Sequence, residues 1–137
     1  MTEENKTIAR RVYEIISTGD FDRAWEIVDS EAPDNELLPG DPPARLIETF
    51  EDTFKEARQA FPDLSVTVED VMAEGDRVAA RVTMRGTHLG EFQGIAPTGK
   101  LVEVKAIDKF RISEGKIVEH WGHSDDPRGI LRAPQCP

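Results

Sequence analysis

Cysteine is all but missing from this sequence. The single Cys136 among 137 residues excludes an internal disulfide, and so sparse a use of thiols suits a reducing, cytoplasmic compartment. Long apolar runs are missing too. No stretch approaches the roughly 18 apolar residues of a membrane span. Met1-Thr2-Glu3-Glu4-Asn5 is polar and acidic where a secretory leader would be basic and then apolar, so neither anchor nor leader is expected. Positive charge is scarce: 17 Lys and Arg stand against 27 Asp and Glu, for a net charge of -10. The basic residues form no long cluster, which argues against a nucleic-acid backbone or an anionic membrane as partner. A small molecule or another protein is left.

Motifs for other chemistries are also lacking. His120 and His123 are three apart, but Glu119 and Asp125 would have to converge on them from different faces to complete a metal site. Gly86-Thr87-His88-Leu89-Gly90 has neither the lysine nor the following helix of a phosphate loop. No serine sits in a nucleophile elbow. No metal is therefore expected.

What is present reads as one domain over residues 1–137, long enough to bury a sizeable core. Thr2 is placed to cap a helix whose apolar positions Ile8, Val12, Ile15 and Ile16 recur at helical spacing until Gly19. Asp20 is placed to cap a short second helix carrying Phe21, Ala24, Trp25 and Val28, with Trp25 expected in the core or in a pocket wall. Residues 31–43, rich in proline, glycine and acids, read as a loop. A third helix from about Ala44 carries the stripe Leu46, Ile47, Phe50, Phe54, Ala57 and Phe61, read as core, until Pro62. Alternating strands follow from Leu64, Arg77, Leu101 and Lys116, with turns at Glu74-Gly75-Asp76, Thr98-Gly99 and Glu114-Gly115. Helices first and antiparallel strands after indicate an α+β domain.

Asp108 breaks the pattern of its strand. Val102, Val104, Ala106, Asp108, Phe110 and Ile112 share one parity. Strand side chains alternate between faces, so the carboxylate lies on an otherwise apolar, inward face. Such a group must be paired or must line a wet pocket.

Several segments together are similar to one family. Phe61-Pro62-Asp63-Leu64, Glu74-Gly75-Asp76-Arg77-Val78-Ala79-Ala80-Arg81, Arg85-Gly86-Thr87-His88-Leu89-Gly90-Glu91-Phe92, Gly94-Ile95-Ala96-Pro97-Thr98-Gly99-Lys100 and Gly115-Lys116-Ile117-Val118-Glu119-His120-Trp121 follow in order. They resemble the SnoaL-like polyketide cyclases, of the nuclear transport factor 2-like superfamily. The resemblance implies a cone-shaped fold in which three N-terminal helices pack on a strongly curved antiparallel sheet around an apolar pocket, in a homodimer formed through the sheet. It implies a small apolar carbonyl compound as ligand and a cofactor-free aldol-type cyclisation or isomerisation by acid and base residues. The resembled cyclases commonly place an aspartate after the tryptophan of the His-Trp motif, whereas Gly122 stands there in this chain.

Register decides which residues join Asp108. A two-residue loop at Glu114-Gly115 would set Asp108 opposite Trp121 and Glu119 opposite Phe110 on the buried side. A three-residue loop with Gly115 in a bulge would set Phe110 opposite Val118 and Asp108 opposite His120. The second matches apolar with apolar and is preferred. His88 shares the parity of Val82 and Met84 and is expected in the same cavity. The catalytic candidates are thus Asp108, His120 and His88. Asn35, Phe92, Phe110, Met84, Tyr13 and His123 are the expected substrate contacts. The plainer alternative makes Asp108 a structural carboxylate in a non-catalytic module that binds a small molecule or a partner protein.

Overall fold

The computed structural model describes residues 2–33 and 45–125. Helix α1 spans Thr2–Thr18. Ala9, Val12, Ile15 and Ile16 are all buried, and the apolar stripe is the packing face. Gly19 ends the helix at φ +80°, its N–H bonding the Ile15 carbonyl at 2.8 Å. The Arg58 guanidinium donates to the Ile16 and Ser17 carbonyls at 3.0 and 2.7 Å, satisfying groups that a helix end leaves without partners. A side chain at position 19 would also place its Cβ 2.7 Å from Arg58 Nε.

Asp20 makes no side-chain capping bond, and the segment after it is a 3-10 turn, Phe21–Arg23, running into the four-residue helix α2, Ala24–Ile27. Phe21, Ala24 and Ile27 turn inward at a spacing of three, which leaves Trp25 on the other side and 48% exposed, contrary to its expected burial. Val28 is extended and forms a parallel bridge with Ile117. From residue 34 the predicted loop, with its candidate Asn35, lies outside the described residues. Helix α3 spans Leu46–Ala60. Its start is tied down by Leu46 N–H to the Ala32 carbonyl at 2.8 Å and by Arg45, which pairs with Glu48.

Strands β1 (Ser65–Glu74), β2 (Arg77–Thr87), β3 (Leu101–Ser113) and β4 (Lys116–Ser124) form one antiparallel sheet in that order. Two irregularities decide which side chains its inner face carries. In β1 the register slips between Val68 and Asp70, so Val66 and Val68 before it and Val71 and Ala73 after it all pack on the core. The strict alternation expected of that strand is therefore broken once.

The second irregularity corrects the expected hairpin. Ser113 pairs with Lys116 around a two-residue turn in which Glu114 and Gly115 both have positive φ, 52° and 80°, the geometry that matches the twist of two paired strands. The bulge comes later, between Arg111 and Ile112, leaving Val118 as the extra residue. Phe110 consequently pairs with His120 and Asp108 with Gly122, two residues further along than the preferred register. A shift of two preserves facing while a shift of one reverses it. His120 therefore still points inward with Asp108, and Glu119 and Trp121 point out. Glu119 meets Arg111 at 2.5 Å, and Lys109 Nζ lies 4.6 Å over the Trp121 ring.

The core lies between the helices and this inner face. Ile16, Ile27, Ile47, Val78, Val82 and Ile117 are essentially inaccessible to solvent. Each such side chain contributes about 1.5–3 kcal/mol through removal from water.

Candidate active site

The packing between helices and sheet is incomplete and leaves a cavity of about 330 Å³, within the size range of small-molecule sites. Val102, Val104, Ala106, Asp108 and Phe110 of β3 all line it, so it runs along roughly 26 Å of strand at about 3.3 Å per residue. Phe50, Phe54, Ala57 and Phe61 form the opposite wall. The stripe read from sequence as core is thus partly a pocket wall. The exposed lining residues are Thr53, Gln93, His123 and Ser124, and they give the cavity a hydrogen-bonding rim.

Inside, the polar groups converge on Asp108. Its Oδ1 lies 2.9 Å from His120 Nε2 and its Oδ2 accepts the Tyr13 hydroxyl at 2.5 Å. The carboxylate can only accept when ionised, so each of its oxygens is held by a donor from a different element. The Asp108 and His120 side chains are only 17% and 13% exposed. Tyr13 reaches the site from α1 with its ring edge-on to Phe110, centroids 6.4 Å apart. The His120 ring lies over Phe110 at 5.1 Å and a 30° tilt. Phe110 thus backs both the phenol and the imidazole, which fixes their orientation toward Asp108.

Seven of the expected site residues meet in this cavity: Asp108, His120, Tyr13, Met84, Phe92, Phe110 and, at the rim, His123. His88 does not. It shares the expected parity, but β2 ends at Thr87 and the imidazole turns into the loop that follows. There its Nδ1 lies 2.9 Å from Thr98 Oγ1, and the ring packs behind Phe61 with centroids 5.4 Å apart. It is fully buried and absent from the cavity lining. Sequence reasoning also missed that Tyr13 bonds Asp108. The signal available was one hydroxyl within the buried stripe of α1, which does not say which strand it reaches.

A neighbouring carboxylate has a structural task. Asp63 accepts the Thr87 N–H at 2.7 Å and the Thr87 hydroxyl at 2.8 Å, and these bonds, the backbone one foremost, hold its pKa below the ordinary 3.8. They fasten the turn after α3 to the end of β2, close to the cavity wall.

An α+β domain of this topology, with a carboxylate, an imidazole and a phenol gathered in an apolar cavity, belongs to the class of proteins with the nuclear transport factor 2-like fold. The SnoaL-like polyketide cyclase model matches residues 6–131, and the chain belongs to that family. It is 29% identical over 115 residues to aklanonic acid methyl ester cyclase DnrD of Streptomyces peucetius, covering 82% of this chain and 79% of that protein. Among solved structures, AclR, a proposed hydroxylase of Streptomyces galilaeus, superposes with a TM-score of 0.83 at 28% identity, over 100% of this chain and 87% of its own. IdmH, a proposed polyketide cyclase of Streptomyces antibioticus, does so with a TM-score of 0.76 at 33% identity, over 88% and 91%. The two solved structures share the fold of this chain, while the reactions proposed for them differ.

Proposed function

We propose that this chain is a cyclase-type enzyme that closes a ring in an apolar carbonyl compound by intramolecular aldol chemistry, with Asp108 and His120 as base and acid. The observation that carries the reading is an Asp108 carboxylate held by His120 and Tyr13 inside an otherwise apolar cavity. Buried acids with specific partners in a cleft are strong candidates for function. The relatedness to an aklanonic acid methyl ester cyclase supports a polyketide ester as substrate.

In this reading Asp108 takes a proton from a carbon next to a carbonyl, and the C–H electron pair moves into an enolate. The enolate carbon attacks a second carbonyl carbon of the same molecule, forming the C–C bond. The resulting alkoxide takes a proton from His120. Asp108 then passes its own proton to His120 across their 2.9 Å contact, which restores both groups. Atoms and charge balance within the chain and substrate. The cavity's contribution is to hold the two reacting carbons close, which can supply much of the acceleration.

The test is Asp108→Asn, assayed with aklanonic acid methyl ester as the first substrate. Turnover should fall by about 10²-fold or more, the usual worth of an acid–base group. A variant that turns over at the parental rate would remove Asp108 from the mechanism. Binding of the ester with no turnover by the parent would favour the non-catalytic module.

In this reading a homodimer forms through the outer face of the sheet, where Met72, Leu101 and Ile107 are 70%, 75% and 58% exposed.

A further inference from the structure

His88 is buried, polar and unused by the chemistry above. Its ring makes a defined network. The Lys100 N–H donates to Thr98 Oγ1 at 3.2 Å, the Thr98 hydroxyl lies 2.9 Å from His88 Nδ1, and the Thr98 N–H donates to the same Nδ1 at 3.2 Å. A backbone N–H can only donate, so Nδ1 is an acceptor and the ring proton of the neutral imidazole sits on Nε2. That Nε2 is buried with no hydrogen-bond partner among the described residues. As mere filler behind Phe61, phenylalanine would serve better, because burying an unpaired donor is unfavourable. What histidine adds is the Nδ1 acceptor.

The acceptor closes the neck of a loop. His88 N–H bonds the Lys100 carbonyl and Gly99 N–H bonds the His88 carbonyl, both at 2.9 Å. Between these ends, Leu89 and Gly90 donate to the Ala60 carbonyl at 2.9 and 3.0 Å. Phe92 and Ile95 bond each other in both directions around Gln93 and Gly94, whose φ values are 47° and 85°. That small hairpin carries Phe92 and Gln93 into the cavity lining. Phe92 meets Phe61 edge-on at 5.5 Å, and Phe61 in turn lies on His88.

We propose that His88, as the Nε2–H tautomer, is a positioning residue that clasps the 88–100 loop so that Phe92 and Gln93 form part of the ligand wall. The clasp itself depends only on the loop geometry; its effect on ligands rests on reading the cavity as the substrate site. Of the charged side chains bordering the loop, Asp63 is engaged with Thr87, while Glu56 accepts the Gln93 N–H at 3.3 Å and so adds a second tie at the hairpin.

The test compares amide hydrogen exchange, thermal stability and binding of the neutral fluorophore N-phenyl-1-naphthylamine in the parent, His88→Phe and His88→Asn. Phenylalanine keeps a flat ring and removes the acceptor. Exchange at Thr98 and Gly99 should accelerate by about tenfold or more, the worth of the lost hydrogen bonds, while amides of Ala80 and Val82 and the melting temperature hold. Fluorophore affinity should fall severalfold in the same variant. Asparagine supplies an acceptor near the Nδ1 position and should restore protection at Thr98. The nitrogen chemical shifts of His88 in the parent should report the Nε2–H form. The clasp is refuted if Thr98 keeps its protection in His88→Phe, or if all amides accelerate together with a falling melting temperature. Loosened exchange with unchanged fluorophore affinity, or no fluorophore binding by the parent, would sever the loop from the ligand wall. Neither result bears on turnover by Asp108→Asn, so the two readings fail separately.

Discussion

Gly90→Ala offers a sharp test of how the cavity wall is held. Gly90 lies against the end of α3, and a Cβ there would stand 2.6 Å from the Gln59 carbonyl oxygen and 3.2 Å from Ala60 Cα. Both neighbours are backbone, so no side chain can swing aside. Relief requires the loop to lift from the helix, which stretches the 3.0 Å bond from Gly90 N–H to the Ala60 carbonyl. Overpacking of this kind costs about 1–3 kcal/mol and a weakened hydrogen bond adds about 0.5–1.5 kcal/mol. Loss of glycine's freedom in the unfolded chain returns about 0.4–1 kcal/mol. The net is a destabilisation of about 2 kcal/mol. With an unfolding entropy of about 2.1 cal/mol/K per residue, this lowers the melting temperature by about 7 °C.

Gly94→Ala is the control. Its φ of +85° makes alanine unfavourable, but nothing lies within 4 Å of the added carbon, so only the left-handed penalty of about 1–2 kcal/mol applies, less the same unfolded-state return. Calorimetry on the two variants and the parent decides the matter. The fluorophore should also bind less tightly to Gly90→Ala, since lifting the loop withdraws Phe92. A melting temperature within about 1 °C of the parent, or a smaller drop than that of Gly94→Ala, would refute the packing argument.

Two further outcomes are expected. Asp63 has its pKa lowered by its bonds to Thr87, so it stabilises the fold at pH above 3.8 and loses that contribution as pH falls through the lower folded-state value. The stability gap between the parent and Asp63→Asn, read from urea midpoints, should therefore narrow from pH 7 to acid, and a gap that stays constant would contradict the assignment. Placing a charge on the sheet's outer face with Ile107→Glu should shift the chain toward monomer in sedimentation at fixed concentration; an unchanged distribution would move the dimer interface elsewhere.

Some of this protein could be read from local pattern alone. The stripe of α1 and the alternation in β2 and β3 follow from side-chain periodicity, and burial then acts on the faces so defined. Asp108 could be placed inward for the same reason. Trp25 could not be placed, because one turn of 3-10 and α helix has too few residues for a period to declare itself. His88 kept the parity of β2 but lies beyond the strand's end, where alternation no longer governs where a ring points.

By itself, then, the sequence determined that helices precede an antiparallel sheet and that one carboxylate faces inward, because both depend on repeats of two to four residues. Tertiary structure decided the rest. Val118, one extra residue after Ile117, settles that His120 and not Trp121 turns toward Asp108, since a single-residue slip reverses every side chain beyond it. Tyr13 reaches Asp108 across 95 positions of chain, and the stripe of α3 becomes a cavity wall because the helix stands away from the sheet it faces. Contacts between distant segments depend on how whole elements pack, and no local repeat in the chain encodes that.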